Sequence, residues 1–81
     1  NNDISTKYAV FSRSAKSVDY AENMVVIKCF NGMANAACAI LDAMNHSGVV
    51  GTLAGDDTIF VLMRNEQAAI KLVETIKELI K

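Results

Sequence analysis

Two pairs of short strand-like segments, each pair followed by a helical segment, restrict this chain to very few folds. Only a few residues join the two members of each pair. Links that short connect antiparallel strands, because parallel strands need a long crossover. The order therefore predicts an α+β domain, ββαββα, with a four-stranded antiparallel sheet and two helices packed on one face. The opposite face of the sheet is left without a helix.

The second strand pair is the better defined of the two. Val49–Ala54 and Thr58–Met63 are strand-like runs separated by the tripeptide Gly-Asp-Asp at residues 55–57. Glycine adopts positive φ freely and aspartate favours turns, so we expect a hairpin here, with Gly55 at positive φ.

The first strand pair carries a weaker pattern. Residues 24–27 form a short β-branched run that is typical of a central strand. Residues 20–23 before it have the composition of a hairpin connection, and residues 10–19 predict an irregular edge strand.

The two helical segments differ in character. Residues 33–45 place apolar side chains at spacings of three and four, which predicts a helix with Asn31 as its N-cap and residues 46–48 as its exit. Residues 66–81 predict a strongly amphipathic helix that Asn65 caps. The apolar stripe of that helix contains Ala69, Val73, Ile76 and Ile80.

Length and composition describe one small domain with surplus apolar surface. We predict that residues 8–81 of the 81 form the domain and that the polar, aperiodic residues 1–7 are the tail of a linker. A hydrophobic content of 52% exceeds what so small a domain buries alone, so we expect copies of the chain to associate. Because the chain begins at Asn1 and not at a methionine, we interpret it as a piece of a longer protein.

Several classes of protein are disfavoured. A net charge of -1 argues against a nucleic-acid-binding surface on this chain, and no apolar run approaches the ~20 residues of a membrane span. The two cysteines are too few for a disulfide framework and suit a reducing compartment. We find no combination of nucleophile, base and oxyanion-stabilising groups that would indicate an enzyme. His46 has no cysteine or second histidine at metal-ligand spacing, so we expect it to be a solvated loop residue.

Three carboxylates are the candidates for binding chemistry: Asp42 near the end of the first predicted helix, and the adjacent pair Asp56 and Asp57 at the hairpin tip. Neighbouring carboxylates repel each other unless a cation lies between them. A metal ion or a planar guanidinium would serve. The residues alone also allow a simpler interpretation, in which the pair only makes the turn and points into solvent.

Residues 50–60, with the sequence VGTLAGDDTIF, resemble the signature segment of the C-terminal domain of the bacterial arginine repressor family. The resemblance extends from about residue 18 to the end of the chain, and includes the Asp-Tyr pair at residues 19–20 and the Ile-Leu-Asp run at residues 40–42. It implies the same ββαββα fold.

The resemblance also implies a function. Domains of this family form trimers that stack in pairs into hexamers, and they bind L-arginine as corepressor where trimers meet, with no other cofactor and no metal. Such a protein would be cytoplasmic, would have no membrane contact, and would regulate genes of arginine biosynthesis or catabolism. It would reach operator DNA only through an N-terminal domain that is not in this chain.

The resemblance assigns roles to individual residues. Asp56 and Asp57 match the aspartates that face the guanidinium, and Asp42 matches the one that meets the α-amino group. The positions of Thr52 and Ala54 contact the amino-acid head, largely through backbone groups.

Two departures from the family pattern keep an alternative function open. Asn35, which the resemblance places among the ligand-binding residues, falls where relatives usually have glutamine. Residues 29–32 read Cys-Phe-Asn-Gly where relatives commonly have Thr-x-Pro-Gly. The alternative is a structural assembly module from a paralogue that no longer responds to arginine.

Overall fold

The computed structural model describes the backbone of residues 3–80 and the side chains of residues 6–80. The elements are α1 (Asp3–Ser14), β1 (Ala15–Ala21), β2 (Met24–Cys29), α2 (Ala34–Met44), β3 (Val49–Ala54), β4 (Thr58–Met63) and α3 (Glu66–Ile80). All three strand pairings are antiparallel, in the spatial order β1-β2-β4-β3. The predicted α+β class and four-stranded antiparallel sheet are confirmed, and a helix that was not predicted precedes the sheet.

That first helix corrects two expectations. The stretch 3–7, predicted as aperiodic linker tail, and the stretch 10–14, predicted as edge strand, both belong to α1. The helix is held by contacts distant in sequence, since the Phe11 side chain is completely buried in the core. The domain boundary at residue 8 stays a prediction, and Asn1, Asn2 and Lys81 lie outside the described residues.

Side chains alternate between a buried and an open face along the central strands. Val25 faces Val61 and Ile27 faces Ile59 across the β2–β4 pair, and all of them are fully buried. Helix α2 contacts β2, β3 and β4, and α3 contacts β1, β2 and β4. One face of the sheet is therefore buried, and the other is open to solvent.

The opposite face of the sheet is exposed, and it is apolar along β3 and β4. Its most accessible large side chains are Leu53, Phe60 and Leu62, with exposed fractions of 72%, 47% and 40%. Leu53 and Phe60 are direct cross-strand neighbours in the β3–β4 hairpin. We name this surface, defined by Leu53, Phe60 and Leu62, the open sheet face.

The ends of the helices show where local sequence signals succeed and fail. The cap of α3 is confirmed, because Asn65 Oδ1 accepts a 2.8 Å hydrogen bond from the Ala68 N–H. The cap of α2 was wrongly predicted at Asn31. Met33 occupies that position without a side-chain hydrogen bond. At its other end, α2 terminates at Asn45 in the left-handed conformation, with φ of 58°.

The glycines that adopt positive φ are not the one expected from the sequence. Among residues 3–80 they are Gly32 and Gly48, at φ of 77° and 87°, whereas Gly55 is not one of them. The β3–β4 turn is closed instead by a 2.8 Å hydrogen bond from the Gly55 N–H to the Thr58 carbonyl.

In the part of the chain described here, no helix is long and apolar enough to cross a lipid bilayer.

Candidate functional site

The turn formed by Gly55, Asp56 and Asp57, which we call the acidic tip, is anchored through its backbone. The Cys29 N–H donates to the Asp57 carbonyl at 2.7 Å, and the Ala34 N–H donates to the Asp56 carbonyl at 3.2 Å. The first hydrogen bond extends the pairing of β2 with β4. The second satisfies an N–H in the first turn of α2, where helices lack internal acceptors. The tip is therefore fixed to the end of β2 and to the start of α2.

Each carboxylate of the acidic tip has one oxygen engaged within the chain. The Gly32 N–H donates to Asp56 Oδ2 at 3.3 Å, and the Thr58 hydroxyl donates to Asp57 Oδ1 at 3.0 Å. Both aspartate side chains are exposed. Asp56 Oδ1 and Asp57 Oδ2 have no hydrogen-bond partner among residues 3–80, so each carboxylate offers one free oxygen.

The other predicted site residues lie on α2 and β3. Thr52 Oγ1 donates a 2.8 Å hydrogen bond to Asp42 Oδ1, which joins β3 to α2. Ala54 follows Thr52 by two residues, so both lie on the same face of β3. Asn35 lies seven residues before Asp42, on the same side of α2 and about 10 Å from it along the helix axis.

The structure thus brings the predicted residues into one surface strip. The acidic tip and Asn35 lie at the N-terminal end of α2, and Asp42 and Thr52 lie about two helical turns further on. Asn35, Asp42 and both tip aspartates are exposed. Small-molecule sites enclose most of their ligand, whereas this strip on one chain is an open surface.

A lysine lies near the negative charges of the acidic tip. Lys28 Nζ lies 3.5 Å from Thr58 Oγ1, which itself contacts Asp57. Burial raises the pKa of the Cys29 thiol, and the negative charge of Asp57 raises it further. Cys29 therefore stays protonated and serves as a buried apolar side chain.

Sequence reasoning missed the groups that orient the two aspartates, namely the Gly32 N–H and the Thr58 hydroxyl. The signal for Thr58 was available, since it follows Asp57 directly within the signature segment. Gly32 carried no comparable signal, because its contact with Asp56 spans 24 positions of sequence.

His46 was wrongly expected to be a solvated loop residue. Its Nε2 atom is buried and lacks a hydrogen-bond partner among the described residues, and burial lowers the pKa of the imidazole. The residue borders a small cavity against α3, lined by His46, Ser47, Ala68, Lys71, Leu72 and Thr75. No group of three or more His, Cys, Asp or Glu side chains within residues 3–80 is arranged to hold a metal ion.

Comparison with known proteins places this geometry in context. A family model described as "Arginine repressor, C-terminal domain" matches residues 11–78. The arginine repressor of Thermoanaerobacter sp. (strain X514) is 53% identical over 72 residues, which cover 89% of this chain and 48% of that protein.

Two further relatives carry the same name. The arginine repressor of Acetivibrio thermocellus is 47% identical over 72 residues, covering 89% of this chain and 47% of the relative. That of Clostridium tetani is 41% identical over 81 residues, covering 99% of this chain and 53% of the relative. The chain thus spans about half the length of the curated relatives it matches, and these relatives are named as repressors and not as enzymes.

Proposed function

Because this chain belongs to the family of arginine repressor C-terminal domains, we propose that it is the oligomerisation and L-arginine-binding domain of an arginine-responsive transcriptional regulator. The observation that carries the proposal is the acidic tip, where two adjacent carboxylates are each held through one oxygen and leave the other free. The genes it regulates would be those of arginine biosynthesis or catabolism.

The chemistry of the tip suits a guanidinium. Two neighbouring anionic acceptors match the planar, multiply donating head of arginine, which remains charged at all physiological pH values. Asp56 and Asp57 would receive the guanidinium, and Asp42 would receive the α-amino group at the other end of the strip. Thr52 and Ala54 would contact the amino-acid head, and Asn35 would lie at the other end of the strip, beside the acidic tip. Arginine acts here as a corepressor ligand, and the proposal needs no cofactor or metal.

A second copy of the chain would complete the site. The strip on one chain leaves a ligand exposed to water, and the open sheet face presents Leu53, Phe60 and Leu62 to solvent. Contiguous exposed apolar surface of this kind favours association. We propose that copies assemble into trimers and that two trimers stack, so that the acidic strips face one another across the seam.

The free energy of ligand binding would then be coupled to assembly. Bringing copies together concentrates Asp42, Asp56 and Asp57 in a partly dehydrated seam, where unpaired carboxylates are unfavourable. A bound guanidinium neutralises them and donates hydrogen bonds to both sides. Arginine therefore binds the assembled form more tightly than the separated trimers, and by linkage it must stabilise that form. Contact with operator DNA, in the cytoplasm, would be made by a segment outside this chain.

Isothermal titration calorimetry and sedimentation, each with L-arginine and with citrulline, test the proposal. Citrulline is nearly isosteric with arginine but uncharged, so we expect arginine to bind and to raise the hexamer fraction, and citrulline to do so far less. Equal responses to the two ligands would contradict the role of charge pairing. Assembly that proceeds with no arginine binding would identify a purely structural module instead.

A further inference from the structure

The hydroxyl of Thr58 contacts the acidic tip in a way that bears on ligand affinity. It donates to Asp57 Oδ1 at 3.0 Å and lies 3.5 Å from Lys28 Nζ. We propose that Thr58 is a positioning residue, which holds Asp57 so that its second oxygen points away from the chain and toward an incoming guanidinium. This inference rests on the proposed function.

The direction of the hydroxyl proton follows from the donors available. A lysine ammonium has donors only, so in its contact with Thr58 the threonine oxygen must accept. A threonine hydroxyl has a single proton, and the acceptor within reach of it is Asp57 Oδ1. Lys28 thus leaves the Thr58 proton directed at Asp57.

The position of Thr58 makes this contact rigid. Thr58 is a half-buried residue of β4, directly opposite Lys28 of β2 in the central strand pair. Asp57, in contrast, is exposed and outside the strands, and the final torsion of an aspartate side chain has no sharp minimum of its own. Without the hydroxyl, the carboxylate of Asp57 would rotate over a wide range. Binding would then have to restrict that rotation.

Thr58→Val tests this role with little disturbance to the strand. Valine keeps the β-branched shape that suits a strand and removes only the hydroxyl. Thr58→Ser restores the hydroxyl on a different side chain. Thr75→Val is the matched control, because it removes a hydroxyl of another half-buried threonine, which donates to the Lys71 carbonyl within α3.

The measurement is the dissociation constant of L-arginine by calorimetry, at one salt concentration, with thermal unfolding of each ligand-free variant as the check of folding. We expect Thr58→Val to bind arginine about 3- to 10-fold more weakly, which is the typical worth of one hydrogen bond. Thr58→Ser should bind within about twofold of the unsubstituted protein, and Thr75→Val should be unchanged. Binding of citrulline should change less than that of arginine, so selectivity should fall.

The outcomes separate this inference from the function on which it rests. Equal arginine affinity of Thr58→Val and the unsubstituted protein would overturn the positioning role alone. Loss of affinity in Thr58→Ser as large as in Thr58→Val would also overturn it, because the hydroxyl would then be irrelevant. Failure of the unsubstituted protein to bind arginine would overturn the proposed function, and this role with it. Should Thr58→Val fail to fold, Thr58→Ala and Thr58→Ser decide the matter: equal arginine affinity of these two variants overturns the role.

Discussion

Thr52 Oγ1 donates a 2.8 Å hydrogen bond to Asp42 Oδ1, and this contact joins the edge strand β3 to the last turn of α2. The first turn of α2 is joined to the same hairpin, because the Ala34 N–H donates to the Asp56 carbonyl. Helix α2 is therefore attached at both ends to the β3–β4 hairpin, and three of the four residues involved, Asp42, Thr52 and Asp56, are themselves predicted to bind the ligand. A ligand held by these residues would reinforce contacts that also maintain the fold.

Variants of Thr52 and Asp42 should affect stability and arginine binding to different extents. Thr52→Val removes the hydrogen bond and keeps the charge, so we expect it to lower the free energy of unfolding by about 0.5–1 kcal/mol, since the pair is exposed. Asp42→Asn keeps an acceptor oxygen and removes the charge. It should weaken arginine binding with a smaller effect on stability. Urea titration and calorimetry of both variants check this, and wild-type affinity in Asp42→Asn would contradict a role in binding.

Helix α1 should be part of the cooperative unit. Phe11 is completely buried, so Phe11→Ala should lower the free energy of unfolding by about 3–5 kcal/mol. Tyr8, on the same helix, is 39% exposed, and Tyr8→Ala should lower the free energy of unfolding by about 1 kcal/mol or less. Urea unfolding followed by circular dichroism, at one protein concentration, compares them. Similar small losses for both variants would show that α1 unfolds independently of the sheet.

Three glycine-to-alanine variants should differ in a fixed order. Gly32 has φ of 77° and open space where an added methyl would lie, so Gly32→Ala should cost only the left-handed strain, about 1–2 kcal/mol. At Gly48, with φ of 87°, the added methyl would also lie 2.8 Å from the Ala68 Cβ, so the loss should be larger. Gly55 has neither problem, and Gly55→Ala should be close to neutral.

Denaturant unfolding of the three variants under identical conditions establishes that order. A Gly55→Ala loss as large as that of Gly32→Ala would contradict it. Gly32→Ala should also weaken arginine binding, because the Gly32 N–H holds Asp56 Oδ2.

The partly buried imidazole of His46 should make the stability of the fold depend on pH. Burial lowers the pKa of its imidazole below the ordinary 6.5, so below pH 6.5 the unfolded chain binds more protons than the folded one. Above pH 6.5, His46 has no effect on how stability changes with pH. As the pH falls toward the folded-state pKa, protonation of His46 in the unfolded chain increasingly lowers the free energy of unfolding. Lys71 is the other charged residue that lines the cavity beside His46.

The pH effect is measured as the difference in unfolding free energy between pH 7.5 and pH 5.5, for the unsubstituted protein and for His46→Gln. We expect the unsubstituted protein to lose more stability on acidification than the variant, since glutamine does not titrate. Equal losses would show that carboxylates elsewhere account for the whole effect.

The features that the sequence determined are those that arise from neighbouring residues. The β3–β4 hairpin has the strand limits read from its apolar runs, because strand propensity and turn composition act over a few residues. Helix α3 follows its apolar stripe and begins at the cap supplied by Asn65, for the same reason. The acidic residues of the site were found because they fall in and near the signature segment.

Tertiary structure alone decided the features that join distant segments. Helix α1 is stabilised by burial of Phe11, and α2 begins against the Asp56 carbonyl instead of an Asn31 cap. His46 lies against α3. Each of these depends on which surfaces meet after the sheet has formed, and the hydrogen bonds and burial that result are worth more than the local preferences they override. Local preference specifies an element; the contacts between elements determine where it starts and which of its side chains reach the site.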